Sequence, residues 1–189
     1  MKVAFSGTQC VGKTTTINLI RNDIRLSKND EFYYLKNHKF GESKTHPVLA
    51  LGLNLNDGAD DLAQTLILSN YLRDVLEEDC ISDRCLLDVL VYTEYQYNHS
   101  KCSSELYNLT LRFFNKYIDT YDFIFYLPPE IKIIENGIRS VDETYRDELH
   151  TIFLKYINRD NIFVIEGKPT YKKFTIDKII KEHLKLINK

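Results

Sequence analysis

The sequence predicts an α/β fold in which a five-stranded parallel β-sheet carries helices on both faces. Short apolar segments alternate along the chain with longer segments of helical spacing, and the first apolar segment runs directly into a glycine-rich turn. Strands that alternate with helices form a parallel sheet, because each helix carries the chain back to the starting edge of the sheet. The chain of 189 residues supports one hydrophobic core, and no linker divides it. We therefore expect a single domain over residues 1–189.

The N-terminal part of the chain predicts the first two strands. Lys2–Ser6 is a short apolar run that ends at a glycine, which is typical of a buried strand. Residues 13–26 follow with apolar side chains at helical spacing, and Glu31–Leu35 is interpreted as the second strand. Residues 36–58 contain glycines, a proline and an Asn-Asp-Gly sequence, so we expect an irregular segment that is too long for a passive turn.

The middle of the chain predicts one long helix and a third strand. The helix extends from about Asp60 to Glu77 and has an imperfect apolar stripe that includes Leu62, Leu66 and Leu76. This stripe predicts that these three leucines face the core. Cys80–Asp83 is interpreted as a brief strand directly after the helix.

The C-terminal half continues the same alternation. Helices are predicted over 86–98 and 103–120, a fourth strand over Tyr121–Leu127, a helix from about Asp142 to Asn158, a fifth strand over Asn161–Ile165 and a terminal helix over about 173–187. Pro128 and Pro129 end the fourth strand, because proline has no N–H group for a strand ladder. The predicted sheet therefore has five strands.

Composition and charge exclude several classes of protein. The sequence is 43% hydrophobic and 28% charged, which excludes a disordered chain, and its 25 basic and 27 acidic residues give a net charge of −2. That balance provides no overall attraction to nucleic acid or to an anionic membrane. No apolar run approaches the roughly 20 residues of a membrane span, and no signal peptide precedes the first strand, so we expect a cytoplasmic protein. The four cysteines form no CxxC pair, so we expect free thiols and no zinc site.

The strongest motif is a phosphate-binding loop that begins at Gly7. The sequence Gly-Thr-Gln-Cys-Val-Gly-Lys-Thr matches the pattern G-x-x-x-x-G-K-[ST] between a predicted strand and a predicted helix. The glycines let consecutive N–H groups point into one concavity, Lys13 reaches the β- and γ-phosphate oxygens, and the Thr14 hydroxyl ligates Mg²⁺. We expect the nucleotide to be bound by Gly7, Thr8, Gln9, Cys10, Val11, Gly12, Lys13, Thr14 and Thr15.

The sequence favours ATP over GTP as that nucleotide. Proteins that hold guanine often carry an N-K-x-D sequence, and the nearest string here, Asn115–Asp119, has one residue too many and lies in a predicted helix. The loop Glu166–Pro169 follows the fifth strand, where such folds place the base of the nucleotide, although none of its residues is specific for adenine by itself.

A second group of polar residues begins where the third strand ends. Asp83 and Arg84 lie at the carboxyl end of that strand, where open α/β sheets bind ligands. The carboxylate can orient Mg²⁺ or take a proton, and the guanidinium can hold a phosphate or a sugar hydroxyl. On the next helix Asp88, Tyr92 and Tyr95 share one face and are expected to line a pocket for a base, with a tyrosine-rich amphipathic helix as the alternative.

These residues resemble a known family of kinases. Asp83–Tyr92 resembles the D-R-x-x-x-S-x-x-A-Y-Q segment of thymidylate kinases, and more closely the D-R-x-x-x-D-x-x-x-Y segment of NadR-like P-loop kinases. The latter are an AAA-labelled family that includes ribosylnicotinamide kinase domains and phage proteins. Glu42 with Ser43, the segment 51–56, and Gln64 resemble further parts of that pattern, and Asn136–Arg139 resembles its D-G-x-R lid element.

The resemblance implies a P-loop NTPase fold of the nucleoside- and nucleotide-kinase kind, with a short lid over about 128–146 and an acceptor-binding segment over about 36–58. It implies ATP-dependent phosphoryl transfer to a nucleoside or a nucleoside monophosphate, with ATP and Mg²⁺ as cofactors. The catalytic residues would be Lys13, Asp83, Arg139, Arg146 and Glu42, the acceptor-binding residues Glu42, Arg84, Asp88 and Tyr92, and the Mg²⁺ ligands Thr14 and Asp83.

Several alternatives stay open at the level of sequence. Arg139 and Arg146 fit two interpretations: they could belong to a lid, or they could lie at a solvated helix start where neighbouring carboxylates pair with them. Lys36, Lys39 and Lys44 are available for a phosphate on the acceptor, but loop lysines are normally solvated, so they do not separate a nucleoside from a monophosphate. A nucleotide-dependent switch and a kinase that acts on a polynucleotide are the other functions considered, and a homodimer and a monomer are both compatible with the sequence.

Overall fold

The computed structural model describes residues 1–26, 31–41, 44, 46–130 and 142–187. Within these residues five parallel strands form one sheet in the order β2-β3-β1-β4-β5. The strands are β1 Lys2–Ser6, β2 Lys39–Phe40, β3 Cys80–Asp83, β4 Phe123–Tyr126 and β5 Ile162–Val164. The predicted five-stranded parallel sheet is therefore confirmed.

Seven α-helices are present in the described part of the chain. They are α1 Lys13–Leu26, α2 His46–Ala50, α3 Asp61–Asp74, α4 Leu86–Asn98, α5 Ser104–Tyr117, α6 Glu143–Tyr156 and α7 Pro169–Ile187. Side-chain caps define several starts: Asp60 accepts a hydrogen bond from the Ala63 amide, and Ser103 accepts one from the Leu106 amide. None of these described helices is long and apolar enough to cross a membrane.

Alternating side chains of β1 divide the core into two layers. Ala4 packs into the layer formed with α3, α4, α5 and α6, whereas Val3 and Phe5 pack into the layer formed with α1 and α7. Both layers are apolar because a parallel sheet covered on both faces buries nearly every strand residue. The helices therefore lie on both faces of the sheet, as predicted.

The prediction of a strand over Glu31–Leu35 is wrong. Phe32 has a φ of 54°, and Tyr33–Leu35 forms a short 3₁₀ helix directly after it. Phe32 and Leu35 are buried in the core layer of α1 and α7, while Tyr33 between them is 63% exposed. The two buried residues are three positions apart, which is a helical spacing. Their packing therefore decides the conformation, although the aromatic composition of the segment favours a strand.

The second strand lies within residues 36–58, where only irregular structure was expected. The Lys39 amide donates to Asp79 O at 3.0 Å, and the Gly41 amide donates to Ile81 O at 2.8 Å. These bonds pair β2 with β3, so β2 is an edge strand of the sheet. The same segment contains α2 and a 3₁₀ helix at Asn56–Gly58. Because β2 has two residues, its sequence carries no alternation that could have predicted it.

The predicted apolar stripe of the helix after residue 60 is wrong at two of its three leucines, whereas Leu66 packs against a small buried apolar cluster. Leu62 is 63% exposed and Leu76, beyond the end of α3, is 83% exposed, whereas Leu68 and Tyr71 are buried. The buried face of α3 includes the polar residue Gln64. A face that mixes apolar and polar side chains gives a weak periodic signal, so hydrophobic spacing alone misplaced Leu62 and Leu76.

Candidate active site

The phosphate-binding loop joins β1 to α1 and requires unusual backbone geometry. Gly7 has a φ of 136°, Gly12 has a φ of 87°, and Cys10 between them has a φ of 59°. A Cβ atom on Gly7 would collide with the carbonyl oxygen of Leu127, which follows β4. Glycine is needed at this position both for its backbone conformation and for the close approach of β4.

Lys13 begins α1 and folds over the loop. Its Nζ donates to the carbonyl oxygens of Gly7 and Thr8 at 2.7 and 2.6 Å, and its side chain is largely buried. The first turn of α1 carries no acidic residue of its own, and the N-terminus of a helix is the positive end of its dipole. A lysine and a helix N-terminus at one glycine-rich loop form an anion-binding site.

The two predicted magnesium ligands are brought together by the sheet. Phe5 of β1 is opposite Asp83 of β3, and Asp83 Oδ2 accepts a hydrogen bond from Thr14 Oγ1 at 2.6 Å. Mg²⁺ prefers hard oxygen ligands, uses one or two from the protein and takes the remainder from phosphates and water. A hydroxyl and a carboxylate oxygen in contact beside the phosphate-binding loop fit such an ion.

Arg84 and Asp88 attach the start of α4 to the same loop. Asp88 Oδ1 accepts from the Gly7 amide and from Arg84 NH1, both at 3.2 Å, and Asp88 Oδ2 accepts from the Cys85 amide at 3.0 Å. Arg84 has a φ of 79°, and its NH1 atom also lies 3.4 Å from Gly7 O. Burial raises the pKa of Asp88, while Arg84 and Lys13 act in the opposite direction. The Arg84–Asp88 pair therefore stabilises the loop, and it is also placed to contact a ligand beside the loop.

An open pocket lies between α3 and α4, next to this attachment. It holds about 440 Å³ of space that no protein atom fills, and this volume includes space open to solvent. Its lining residues are Leu55, Asn56, Gln64, Ile67, Tyr71, Arg84, Asp88, Val89 and Tyr92. The structure thus brings together all three described residues that the sequence predicted for acceptor binding: Arg84, Asp88 and Tyr92.

Tyr92 connects the pocket to the phosphate-binding loop. The Arg84 guanidinium lies 4.9 Å from the centre of the Tyr92 ring, and the Tyr92 hydroxyl lies 3.5 Å from Gln9 Oε1. Tyr95, which was expected on the same face, is not among the lining residues. Its ring stacks on His99 and packs edge-on against Tyr145. Seven residues of α-helix span about 10 Å, so Tyr95 lies two turns farther along α4 than Asp88.

Sequence reasoning missed several lining residues. Gln64 and Asn56 belong to segments noted for their resemblance to kinases, but neither was assigned a role. Tyr71 of α3 donates to Asp83 O at 3.3 Å and so links the pocket to the carboxyl end of β3. Gln64 is 1% exposed, and a buried amide needs hydrogen-bond partners. The sequence does not show which residues of a helix are buried, so this indication of a functional role is visible only in the structure.

The roles of four further predicted residues are not tested by this geometry. Glu42 and Arg139 lie outside the described residues, as does most of the predicted lid segment. Arg146 lies in the first turn of α6, where its side chain is buried and its Nε is 3.9 Å from Asp147 Oδ1. Thr15 is exposed in the first turn of α1. The predicted roles of these residues, catalytic for Glu42, Arg139 and Arg146 and nucleotide-binding for Thr15, stay predictions.

Comparison with known proteins gives a consistent result. Residues 2–173 match the family described as AAA domain. Among solved structures, NadR protein in complex with NR superposes with a TM-score of 0.69 at 17% identity, over 95% of this chain and 50% of that chain. Deoxyadenosine kinase from M. mycoides with dCMP and dCDP bound superposes with a TM-score of 0.64 at 18% identity, over 99% of this chain and 100% of that chain.

These likenesses establish the fold of a NadR-like P-loop kinase. The same deoxyadenosine kinase with bound dATP superposes with a TM-score of 0.62 at 16% identity. The chain spans about half the length of the NadR protein and the full length of the deoxyadenosine kinase. No protein of curated function matches the sequence at a significant level.

Proposed function

The chain belongs to the family described as AAA domain, and on this premise we propose that it is an ATP-dependent kinase that phosphorylates a nucleoside. The observation that carries the proposal is that the phosphate-binding loop and the pocket between α3 and α4 meet at Gly7. Asp88 contacts the Gly7 amide and also lines the pocket. A donor phosphate in the loop and an acceptor in the pocket would therefore be neighbours, and proximity is a large part of catalysis of phosphoryl transfer.

The donor side of the proposed site uses the loop, Lys13 and two oxygen ligands. The loop amides and Lys13 would hold the β- and γ-phosphates of ATP, and Thr14 and Asp83 would hold Mg²⁺. When bound, Mg²⁺ supplies positive charge that neutralises the phosphate oxygens during transfer.

The acceptor side of the proposed site combines apolar walls with a buried amide. Thr93 Oγ1 donates to Val89 O at 2.8 Å and lies 3.4 Å from Gln64 Oε1, but a hydroxyl has one proton to donate. The shorter bond takes that proton, and Gln64 lines the pocket, so we propose that its amide exchanges hydrogen bonds with a bound base. Tyr71 and Tyr92 add ring surface that suits a flat, partly polar base.

The charges of the described pocket lining, together with the pairing of two of the predicted loop lysines, favour a nucleoside over a nucleoside monophosphate. Lys39 pairs with Glu77 at 2.8 Å and Lys44 pairs with Asp74 at 2.7 Å. Arg84 is the one cation among the lining residues of the described pocket, and Asp88 balances it. An acceptor that carries its own phosphate needs surplus positive charge, and a neutral nucleoside does not.

The proposed transfer has a simple balance. A hydroxyl oxygen of the nucleoside forms a bond to the γ-phosphorus of ATP, the bond to the ADP oxygen breaks, and the hydroxyl proton goes to a carboxylate. We keep Glu42 as that carboxylate, and Arg139 and Arg146 as cations that stabilise the transferred group. The proposal treats residues 1–189 as one kinase domain, with its lid over about 128–146 and its acceptor segment over about 36–58.

The test is a phosphoryl-transfer assay with labelled ATP and Mg²⁺. Nucleosides, nucleoside monophosphates, nicotinamide riboside and oligonucleotides are offered as separate acceptors. We expect transfer to at least one nucleoside, and we expect Lys13→Ala to lower kcat by about 100-fold or more, as removal of a transition-state cation does. Lys116→Ala, on the exposed side of α5, is the matched control and should retain wild-type activity.

Each other outcome excludes the proposed function in a specific way. Tight ATP binding with no acceptor phosphorylated would identify a nucleotide-dependent switch. Transfer to oligonucleotides alone would identify a polynucleotide kinase, and transfer to monophosphates alone would contradict the charge argument.

A further inference from the structure

A fully buried lysine lies behind the phosphate-binding loop. Lys172 of α7 is 0% exposed, and its Nζ donates to the carbonyl oxygen of Val11 at 3.3 Å. The same Nζ lies 3.3 Å from Glu130 Oε2, and that oxygen accepts from the Gly167 amide at 2.8 Å. One ammonium group therefore connects the loop after β1 with the segments that follow β4 and β5.

The hydrogen bond from Lys172 to the Val11 carbonyl also affects the next amide in the loop, which is that of Gly12. The carbonyl of Val11 and the N–H of Gly12 belong to one planar trans peptide, in which the two groups point in opposite directions. Lys172 holds the carbonyl toward α7. The Gly12 N–H is thereby held away from α7, toward the side of the loop on which an anion binds.

We propose that Lys172 is a positioning residue for the nucleotide donor, which orients the Val11–Gly12 peptide so that the Gly12 N–H faces the phosphates. The inference rests on the proposed function, since it requires the loop to bind a nucleoside triphosphate. Lys172 does not touch the phosphates in this role. It acts through the backbone of the loop.

Burial of the Lys172 ammonium group costs free energy of folding. A role in orienting the loop therefore accounts for this residue better than a purely stabilising role does. Burial lowers the pKa of Lys172, and the nearby Glu130 only partly offsets that effect. Replacement of a whole buried ion pair by apolar residues is often neutral or stabilising, whereas removal of one partner is destabilising when the other charge stays buried. Glu130 is 36% exposed, so water can solvate its carboxylate once the lysine is gone.

The experiment compares Lys172→Met with Lys173→Met. Lys173 is the next residue in α7, but it pairs with Asp23 and Glu31 and not with the loop. Calorimetry measures the Kd of AMP-PNP with Mg²⁺, steady-state kinetics measures the KM of the nucleoside, and thermal unfolding measures the Tm without nucleotide. If Lys172→Met does not fold, Lys172→Gln is measured in its place.

We expect Lys172→Met to weaken AMP-PNP binding by about tenfold, as loss of a charged hydrogen-bond donor does. We expect the nucleoside KM to stay within about twofold and the Tm to be unchanged or higher, and Lys173→Met to bind AMP-PNP like the wild type. An unchanged AMP-PNP Kd, an equal loss for both substrates, or a lowered Tm in the Lys172 variants would overturn the inference. If the wild type itself does not bind AMP-PNP, the proposed function fails as well.

Discussion

At the scale of single residues, Thr14 and Asp83 are separated by 69 positions in sequence and joined by one hydrogen bond. We expect Thr14→Ala and Asp83→Asn each to lower kcat by about 100-fold, because each removes an oxygen that holds the charge-neutralising metal. A titration of activity against Mg²⁺ measures the effect, and the half-saturating concentration should rise.

Thr14→Ser is the control for this pair, because serine keeps the hydroxyl and removes only a methyl group. It should retain kcat within about tenfold of the wild type. A Thr14→Ala enzyme with normal kcat and a normal Mg²⁺ requirement would exclude Thr14 as a ligand.

Cys10 gives a second prediction at the residue scale. Its thiol is partly exposed within the phosphate-binding loop, whereas Cys80, Cys85 and Cys102 are buried. We expect N-ethylmaleimide to abolish activity, because an adduct on Cys10 would occupy the space where phosphates bind. AMP-PNP should slow the inactivation, which is measured as residual activity over time.

Cys10→Ser is the variant that identifies the modified thiol. It keeps a small polar side chain at a left-handed backbone position and should stay active after treatment with the reagent. Equal inactivation of the variant and the wild type would place the sensitive thiol elsewhere.

At the scale of secondary-structure elements, α3 presents leucines to opposite environments. Leu68 is 3% exposed and Leu62 is 63% exposed, although both belong to one helix. We expect Leu68→Ala to lower the free energy of unfolding by about 2–5 kcal/mol, because it removes buried methyl groups and leaves a cavity. Leu62→Ala should change it by less than about 0.5 kcal/mol.

Urea denaturation of both variants measures this difference and also tests which face of α3 is buried. A larger loss of stability at Leu62 than at Leu68 would support the stripe that hydrophobic spacing predicted. A large loss at Leu68 alone supports the observed packing of α3 against α4, which builds the pocket.

At the scale of the whole molecule, two histidines make stability depend on pH. Burial lowers the pKa values of His38 and His150 below the ordinary value of 6.5. As the pH falls below 6.5, the unfolded chain binds protons that the folded protein resists, so the free energy of unfolding decreases. Urea denaturation at pH 7.5 and at pH 5.5 should show lower stability at pH 5.5.

His38→Asn isolates one of these two contributions, because other groups titrate as the pH falls. Burial raises the pKa of Asp88, so Asp88 contributes in the opposite direction. The stability of His38→Asn should fall less than that of the wild type between the two pH values. An identical fall in both proteins would show that His38 does not contribute.

The whole-molecule scale also shows how much the sequence could predict. The phosphate-binding loop was predictable because its eight residues are contiguous and its glycines are required by local backbone geometry. The strands β1, β3 and β4 were predictable because buried strands are apolar runs of characteristic length. Glu31–Leu35 was misassigned because five residues rich in aromatic side chains show no clear hydrophobic periodicity. Burial of Phe32 and Leu35 decided the conformation of this segment.

The fold class, the phosphate-binding loop and the grouping of Arg84, Asp88 and Tyr92 at one site could all be predicted from the amino-acid sequence. The strand order, the contact of Asp83 with Thr14, the buried face of α3 and the position of Lys172 behind Val11 became visible once the chain was folded. The physical reason is that spacing along a chain encodes local dihedral angles and periodic burial, both of which act over a few residues. Contacts between distant segments depend on how whole elements pack, and no local pattern records that packing.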